Sequence, residues 1–488
     1  MKSRFSRDFY EAIVVGSGPN GLACAIFLAR QGLSVAVVEK SEVVGGGAST
    51  QALTLPGFFH DVCSAVHPLA LASPFFRELN LENEGLEWIY SPAELAHPHE
   101  DGSVSLLYRS VEKTAKALGR DQDSYQRWVQ AWVENFEALM PDLLGPPLHR
   151  PRHPWLWARY GMQAMLPAAL FARQHYQEEK NRALWMGIAA HSSQPLTSWS
   201  SSGVGLTLHL AAHAVGWPIP RGGSQSITQA LVSVLQKSGG ELVTGFEVRH
   251  VDELPRSEKV FLDLTPQQIL KIVGSHLPSS VVRGLEAYRY GPGVFKMDWA
   301  LKSPIPWKNS ETALASTVHL GGSTSEMLES EEAVNRGRVC SRPYVLLSQP
   351  TLFDVSRAPA GHHIAWAYCH VPPGWTGDLT EAIENQIERF APGFRQSILA
   401  RRQMSPLDLE RRNPNLIGGD IFGGQVSARQ IFFRPRVSVN PYSLDGKKYW
   451  ICSSSTPPGP GVHGMCGALA ASAGIDRPIG RDLPVAKR

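Results

Sequence analysis

The chain is poor in the features that mark secreted, metal-bound or membrane-spanning proteins. Its six cysteines (Cys24, Cys63, Cys340, Cys369, Cys452 and Cys466) are scattered through 488 residues, with no C-x-x-C pair. That spacing offers neither a redox-disulfide motif nor a zinc motif, and it fits a reducing cytoplasm. No metal ligands are expected. No apolar run is long enough to cross a bilayer. Lys2, Arg4 and Arg7 open the chain with no apolar stretch before the first strand, which predicts neither a secretory leader nor a conventional transit peptide. The net charge is only +3, from 47 basic and 44 acidic residues, too little to argue for a nucleic-acid partner. The composition, 43% hydrophobic and 19% charged, is that of a folded protein with two domains or one elaborated domain.

What is present begins at Glu11. Ala12 to Val15 is a short apolar run of the kind a strand buried on both faces needs. Gly16, Gly18 and Gly21 then give G-x-G-x-x-G where the strand must turn into a helix. Gly16 permits the tight turn, Gly18 lets a pyrophosphate approach the backbone, and Gly21 lets helix and strand pack closely. Leu22 to Arg30 reads as the helix and Leu33 to Val38 as the second strand. Glu39 follows about 20 residues past the glycines, where a carboxylate can accept from ribose hydroxyls. Strand, glycine turn, helix, strand and acid in that order predict a dinucleotide site. Gly291-Pro-Gly and the Gly418–Gly424 segment do not reproduce the fingerprint, so a separate NAD(P) domain is not expected.

Val43-Val-Gly-Gly-Gly-Ala reads as a second backbone segment laid against the ligand. Pro56-Gly57 marks a hairpin-like turn. From Ser73 to Ala211 the periodicity is mainly helical, with helices over Ser110–Leu118, Asp121–Met140 and Trp185–His191. Trp155 to Ala172 is apolar, follows a stretch carrying His149, Arg150, Arg152 and His153, and has two readings. It lines an apolar substrate channel as a core helix, or it lies in a membrane interface. A helix after Gly222-Gly223, a strand over Glu241–Val251 and another from Lys259 suggest a return to the opening domain. Tyr290 to Leu301, Tyr344 to Ser348 and His363 to Val371 alternate as half-buried strands of a mixed sheet. Near the end a strand runs into a Pro/Gly loop with Gly459, Gly461, Gly464 and Gly467, followed by a small-residue helix. That shape puts open backbone and a helix N-terminus beside a ligand.

With these runs assembled, the sequence resembles the phytoene desaturase-like branch of the flavin-dependent amine oxidase superfamily over nearly its whole length. Ile13 to Leu22, Pro220-Arg-Gly-Gly, Asn415 to Ile421 and Ser455 to Gly467 carry the resemblance. It implies an α/β fold, a Rossmann-like FAD-binding domain of the glutathione reductase type with an inserted α+β substrate domain. The division expected is residues 1–75, 211–275 and 431–488 for FAD binding, 76–210 for a helical part of the substrate domain and 276–430 for its mixed sheet. By the resemblance Gly16, Gly18, Gly21 and Glu39 hold the ADP half, and Gly45 and Gly46 lie beside the pyrophosphate. Val248, in the strand after the helix, meets the adenine, and Gly461, Val462 and His463 approach the flavin. Pro19, Asn20, Lys40, Gly47, Ala48 and Thr265 complete the expected cofactor-binding set. The chain departs from many relatives in having Gly47-Ala48, and no arginine, after the second Gly-Gly.

The activity implied is hydride transfer between a carbon of a lipophilic, isoprenoid- or carotenoid-like substrate and flavin N5, with reoxidation by oxygen or a quinone. Arg221, Lys296 and His463 are the catalytic candidates, as proton carriers or positioning residues. Two alternatives stay open, an isomerase or saturase on the same fold and a flavin-bound protein-interaction module. Amine oxidation is the lesser reading, because the aromatic pair and covalent cysteine motif of amine oxidases are missing near the closing loop. A cytoplasmic protein with peripheral membrane contact through Trp155–Ala172 is the expected setting; the oligomeric state stays open.

Overall fold

The computed structural model describes residues 4–146 and 149–479. The N-terminal and C-terminal ends of the expected segments 1–75 and 431–488 therefore lie partly outside the described residues, as do Lys2 and two residues of the proline-rich break before Trp155.

A five-stranded parallel sheet carries the opening motif. Its strands are β1 (Phe9–Val15), β2 (Val35–Val38), β3 (Glu241–Val243), β4 (Arg256–Leu262) and β5 (Tyr449–Ile451), in the spatial order β5-β4-β1-β2-β3. Ala12, Ile13 and Val14 are fully buried, as strands covered on both faces must be. The register sets Val15 beside Leu262 on one side and Val38 on the other. The carboxyl ends of β1, β2 and β4 thus form one edge, the place where open α/β sheets bind ligands. Helix α1 (Pro19–Arg30) packs on this sheet with Leu22 and Ile26 fully buried. The strands come from three stretches of chain far apart in sequence. Glu241–Val251 is shorter as a strand than its apolar pattern predicts. Gly245 takes φ 64°, a left-handed conformation that ends extended pairing, so Val248 lies in the loop beyond β3.

The second sheet has seven strands in the order 398–404, 293–301, 363–371, 345–348, 315–320, 93–98 and 104–107. It is mixed: Ala315–Leu320 runs parallel to Ala93–Pro98, and the other pairs are antiparallel. Two strands therefore fall inside the stretch expected to be helical. Ala93–Pro98 is buried at every position, so Glu94, His97 and Pro98 break the apolar run without marking a solvent face. Gly293–Leu301 differs too, being buried throughout although its sequence alternates. One face meets the helix Thr380–Phe390, where Trp299 Nε1 donates to Glu384 at 3.1 Å. The other meets the hairpin of Thr50–Ala52 and Phe59–Asp61, through His60 and Asp298 at 3.5 Å.

A helical layer that includes α2 (Pro154–Ala164) and α3 (Ser201–Ala214) packs on the second sheet through the helix Glu179–Ala189. Trp185 stacks on Phe171 at 4.3 Å, and Tyr125, Trp132 and Leu210 complete a core with almost no solvent contact. The final helix, α4 (Met465–Ile475), returns to α1 through a glycine contact. A Cβ on Gly467 would stand 1.8 Å from the Asn20 carbonyl oxygen.

Candidate dinucleotide-binding site

A cavity of about 1070 Å³ opens at the carboxyl edge of the parallel sheet and continues between the helical layer and the second sheet. That exceeds the roughly 300–1,000 Å³ of pockets that take one drug-sized ligand. One end is lined by Gly16, Gly18, Glu39, Lys40, Val248 and Thr265. The other is lined by Trp157, Tyr160, Trp217, Leu346, Trp366 and Tyr368.

The glycines have no room for side chains. Gly16 sits at φ 103°, and a Cβ on Gly21 would lie 2.1 Å from the Gly16 carbonyl oxygen. A Cβ on Gly18 would meet the Asp263 carboxylate at 2.7 Å. Asp263 follows β4; its Oδ2 accepts from Gly21 N–H at 2.9 Å, and its own N–H donates to Val15 at 2.8 Å. Burial is the main reason its carboxyl is pushed up to about 7, and neighbouring Glu39 adds to the rise. Pro19 occupies the first turn of α1, where its missing N–H costs nothing, and Gly18 provides no side-chain cap. The second glycine run rests on the first. Gly45 N–H donates to Ser17 at 3.2 Å, and a Cβ on Gly46 would lie 3.5 Å from Gly18 Cα. Gly46, Gly47 and Ala48 face the cavity, whereas Gly45, at φ 118°, makes the turn behind them.

Glu39 is held by its own loop. Its Oε2 accepts from Ser17 N–H at 3.0 Å and Ser17 Oγ at 2.7 Å, and Oε1 accepts from Ser41 N–H at 2.9 Å. Lys40 pairs with Glu247 at 2.6 Å at the cavity mouth. Asn20, Thr265, Gly461 and Val462 also face the cavity. The Asn20 Oδ1, Thr265 Oγ1 and Arg434 Nε atoms of this wall are buried without a partner among the described residues. Polar atoms in that state cost free energy unless a ligand or water completes them. The FAD expected from the sequence fits this site: a crowded glycine turn, a helix N-terminus left uncapped by side chains and unpaired polar atoms lie at one end of a cavity long enough to continue past them.

The three catalytic candidates do not converge. Arg221 is a correction to the sequence reading. Its guanidinium forms a two-point pair with Glu87, at 2.6 and 2.8 Å, on the outer surface and away from the cavity. His463 is buried one step behind Gly461 and Val462. Its Nδ1 accepts from Met465 N–H at 3.0 Å, so Nε2 carries the proton and donates to the Gly459 carbonyl at 3.2 Å. With both nitrogens engaged and burial lowering it to about 4, His463 fixes the start of α4 and is not placed to carry protons. Lys296 lies one layer behind the wall, 2.5 Å from Asp298 and beneath the ring of Trp366 at 5.5 Å. Sequence reasoning named no metal ligands. The fold brings ligand atoms of His250, Asp252 and His276 within 4.8 Å of one another on the surface, where His250 caps a turn.

Sequence reasoning missed other groups. Asp263 and Arg434 belong to no recognisable motif. His191, on the cavity wall, has Nε2 3.0 Å from Nε2 of the buried His319. A lone histidine in a helical stretch carries no sign of such a partner, because His319 comes from a strand of the second sheet.

Residues 14–79 match the model of the NAD(P)-binding Rossmann-like domain. The chain is 26% identical to the pyridine nucleotide-disulfide oxidoreductase domain-containing protein 2 of Rattus norvegicus, over 95% of this chain and 92% of that protein. It is 22% identical to the phytoene desaturase (lycopene-forming) of Pantoea ananas, over 95% of this chain and 98% of the relative. The fold is that of a Rossmann-like oxidoreductase. Among solved structures, an oxidoreductase from Methanosarcina mazei superposes with a TM-score of 0.63 at 14% identity, covering 96% of this chain and 100% of that one. Putrescine oxidase bound to putrescine gives 0.58 at 16% identity, covering 96% and 98%. The six cysteines of this oxidoreductase-like chain are free, so the word "disulfide" in the rat relative's name has no counterpart in a cystine here.

Proposed function

We propose that the protein is an FAD-dependent oxidoreductase that moves a hydride between a carbon of a lipophilic, isoprenoid-like substrate and the flavin, which oxygen or a quinone reoxidises. The observation that carries this reading is the continuity of one cavity, from the glycine turn of β1–α1 to an aromatic and aliphatic wall. When bound, FAD supplies the hydride acceptor at N5. Gly16, Gly18, Gly46 and Gly47 would hold its phosphates through their backbone, and Val248 and Thr265 would hold its adenosine end. Trp217, Leu346, Trp366 and Tyr368 give the far end a mostly apolar surface that suits a long lipophilic substrate, with Thr317 and Ser348 among its few polar groups. His191 also lies on that wall, its ring held by His319, but burial lowers it to about 3, so it serves as a positioning residue and not as a proton carrier. An absorbance spectrum of the purified protein, with added FAD if needed, tests the reading. Flavin bands that survive dialysis are expected, and a protein that neither carries nor takes up FAD ends it.

The two readings of Trp155–Ala172 meet on opposite faces of α2. Trp157, Tyr160, Gly161 and Ala164 line the cavity at helical spacing. Trp155 and Met162, one heptad apart on the other side, are 90% and 70% exposed. Among the described residues no helix is long and apolar enough to cross a membrane. Arg152 and His153 stand exposed just before the helix. We read this face as resting in a membrane surface of a cytoplasmic protein, with the substrate passing from lipid along α2. Burying a large apolar side chain gains about 1.5–3 kcal/mol. The double variant Trp155→Ser, Met162→Ser is therefore expected to lose more than tenfold of its partition onto anionic phospholipid vesicles in co-sedimentation, with unchanged flavin content. Equal partition of variant and parent removes the membrane reading.

A further inference from the structure

Among the described residues Arg434 is a buried cation without a counter-charge in contact. Its side chain is 2% exposed, in the segment that leads into β5. Its NH2 donates to the Tyr288 hydroxyl at 3.2 Å and the Gly424 carbonyl at 3.3 Å, both neutral oxygens, and Nε has no partner. Asp420 feels that charge, but its Oδ2 accepts from Gly291 N–H at 2.7 Å and its Oδ1 from Phe422 N–H at 2.7 Å. A guanidinium cannot shed its proton in a protein, so burial without an anion is expensive and cannot be relieved by titration.

The place of the guanidinium shows where that anion belongs. Arg434 is part of the cavity wall. Gly459, at φ 111°, leaves space that a Cβ would close to within 2.5 Å of Arg434 NH1. The closing loop thus bends around the guanidinium and then continues to Gly461 and Val462 on the same wall. Tyr288 and Gly424 hold the fork from behind.

We propose that Arg434 is the cationic subsite for an anionic group of the bound dinucleotide. This rests on reading the cavity as an FAD site. Such a ligand has two sources of negative charge, its pyrophosphate and its reduced isoalloxazine. Both suit a fixed, permanently charged fork.

The variant that tests it is Arg434→Met, which removes the charge and leaves an apolar chain of similar length. Removing a buried charge that has no counter-ion relieves its desolvation cost, which offsets the two hydrogen bonds lost to Tyr288 and Gly424. The apo-protein melting temperature is expected to hold or rise while ligand binding weakens. Apo-protein is titrated with ADP and with oxidised FAD by calorimetry, and the midpoint potential of the FAD-loaded protein is measured. A tenfold or greater loss of affinity for both ligands at unchanged potential assigns the subsite to the pyrophosphate. Unchanged ADP and oxidised-FAD binding, with a potential lowered by about 30 mV, is tenfold weaker hold on the reduced form and assigns it to the isoalloxazine. Arg434→Lys, which keeps the charge, is expected to recover part of either loss. A lowered melting temperature or failure to fold, or unchanged affinity and potential, overturns the proposal and makes Arg434 a structural strut. Parent protein that binds neither ADP nor FAD overturns the FAD reading itself and the subsite with it.

Discussion

Gly21→Val is expected to yield a protein that folds less stably and retains no FAD. The added Cβ would stand 2.1 Å from the Gly16 carbonyl oxygen and 3.0 Å from Asp263 Oδ2. The first obstacle is backbone, which no rotamer change relieves, so α1 must lift away from β1. Nothing around α1 yields easily. Leu22, Ile26 and Leu28 are fully buried, and Gly467 of α4 already touches the carbonyl of Asn20. Overpacking of this kind costs about 1–3 kcal/mol, and the lift moves the N–H groups that face the ligand. Gly32→Ala is the matched control. Gly32 has φ 88° but open space where a Cβ would go, so it carries only a left-handed strain of about 1–2 kcal/mol far from the site. Thermal melts should fall in both variants, whereas flavin absorbance after dialysis should vanish only in Gly21→Val. A Gly21→Val protein with parental flavin content would mean that α1 does not form the ligand cradle.

The opening motif was legible because everything that shapes it is local. β1, the glycine turn, α1 and β2 lie within one short stretch, and the steric limits on Gly16 and Gly21 hold whatever surrounds them. The cavity-facing glycines near residue 46 and at residue 461 could be named for the same reason, since a run of glycines advertises backbone conformation directly. Chemistry in single side chains was not legible, because the partner decides it and comes from elsewhere. Arg221 is spent on Glu87, 134 positions away, and His463 is spent on the backbone of its own loop. Lys296 is spent on Asp298, two residues along the same strand, in a network with His60 that only the packing of hairpin on sheet creates. The strand at 93–98 was hidden because complete burial erases the alternation by which strands are read, and the one at 104–107 because four residues are too few to show it. Trp155–Ala172 defeated a single reading for the opposite reason. An exposed apolar face and a cavity-lining face share α2, and composition alone cannot assign residues to one side.

Asp263 should make the stability of the apo-protein fall as pH rises, and Asp263→Asn should abolish that fall. In the unfolded chain its carboxyl ionises near the ordinary value of about 3.9. In the fold, burial and then Glu39 hold it protonated up to about 7. Between those values the folded state binds the extra proton, so stability decreases with pH, by about 1.4 kcal/mol per pH unit and roughly 4 kcal/mol across the window. Asparagine keeps an oxygen for the Gly21 N–H and has nothing to ionise. Urea unfolding of apo-protein at several values between pH 4 and 8 should show the two proteins converging at the acid end and the variant ahead at the alkaline end. Parallel profiles would mean that Asp263 is already ionised in the fold. The same proton links to the ligand. An ionised Asp263 beside Glu39 would set two negative charges under the glycine turn that receives a pyrophosphate, so FAD binding favours the protonated form. Parental affinity for FAD should therefore decline as pH passes about 7, and the Asp263→Asn profile should stay flat through that point. In this arrangement the acid that seats the helix N-terminus serves an anion best when neutral.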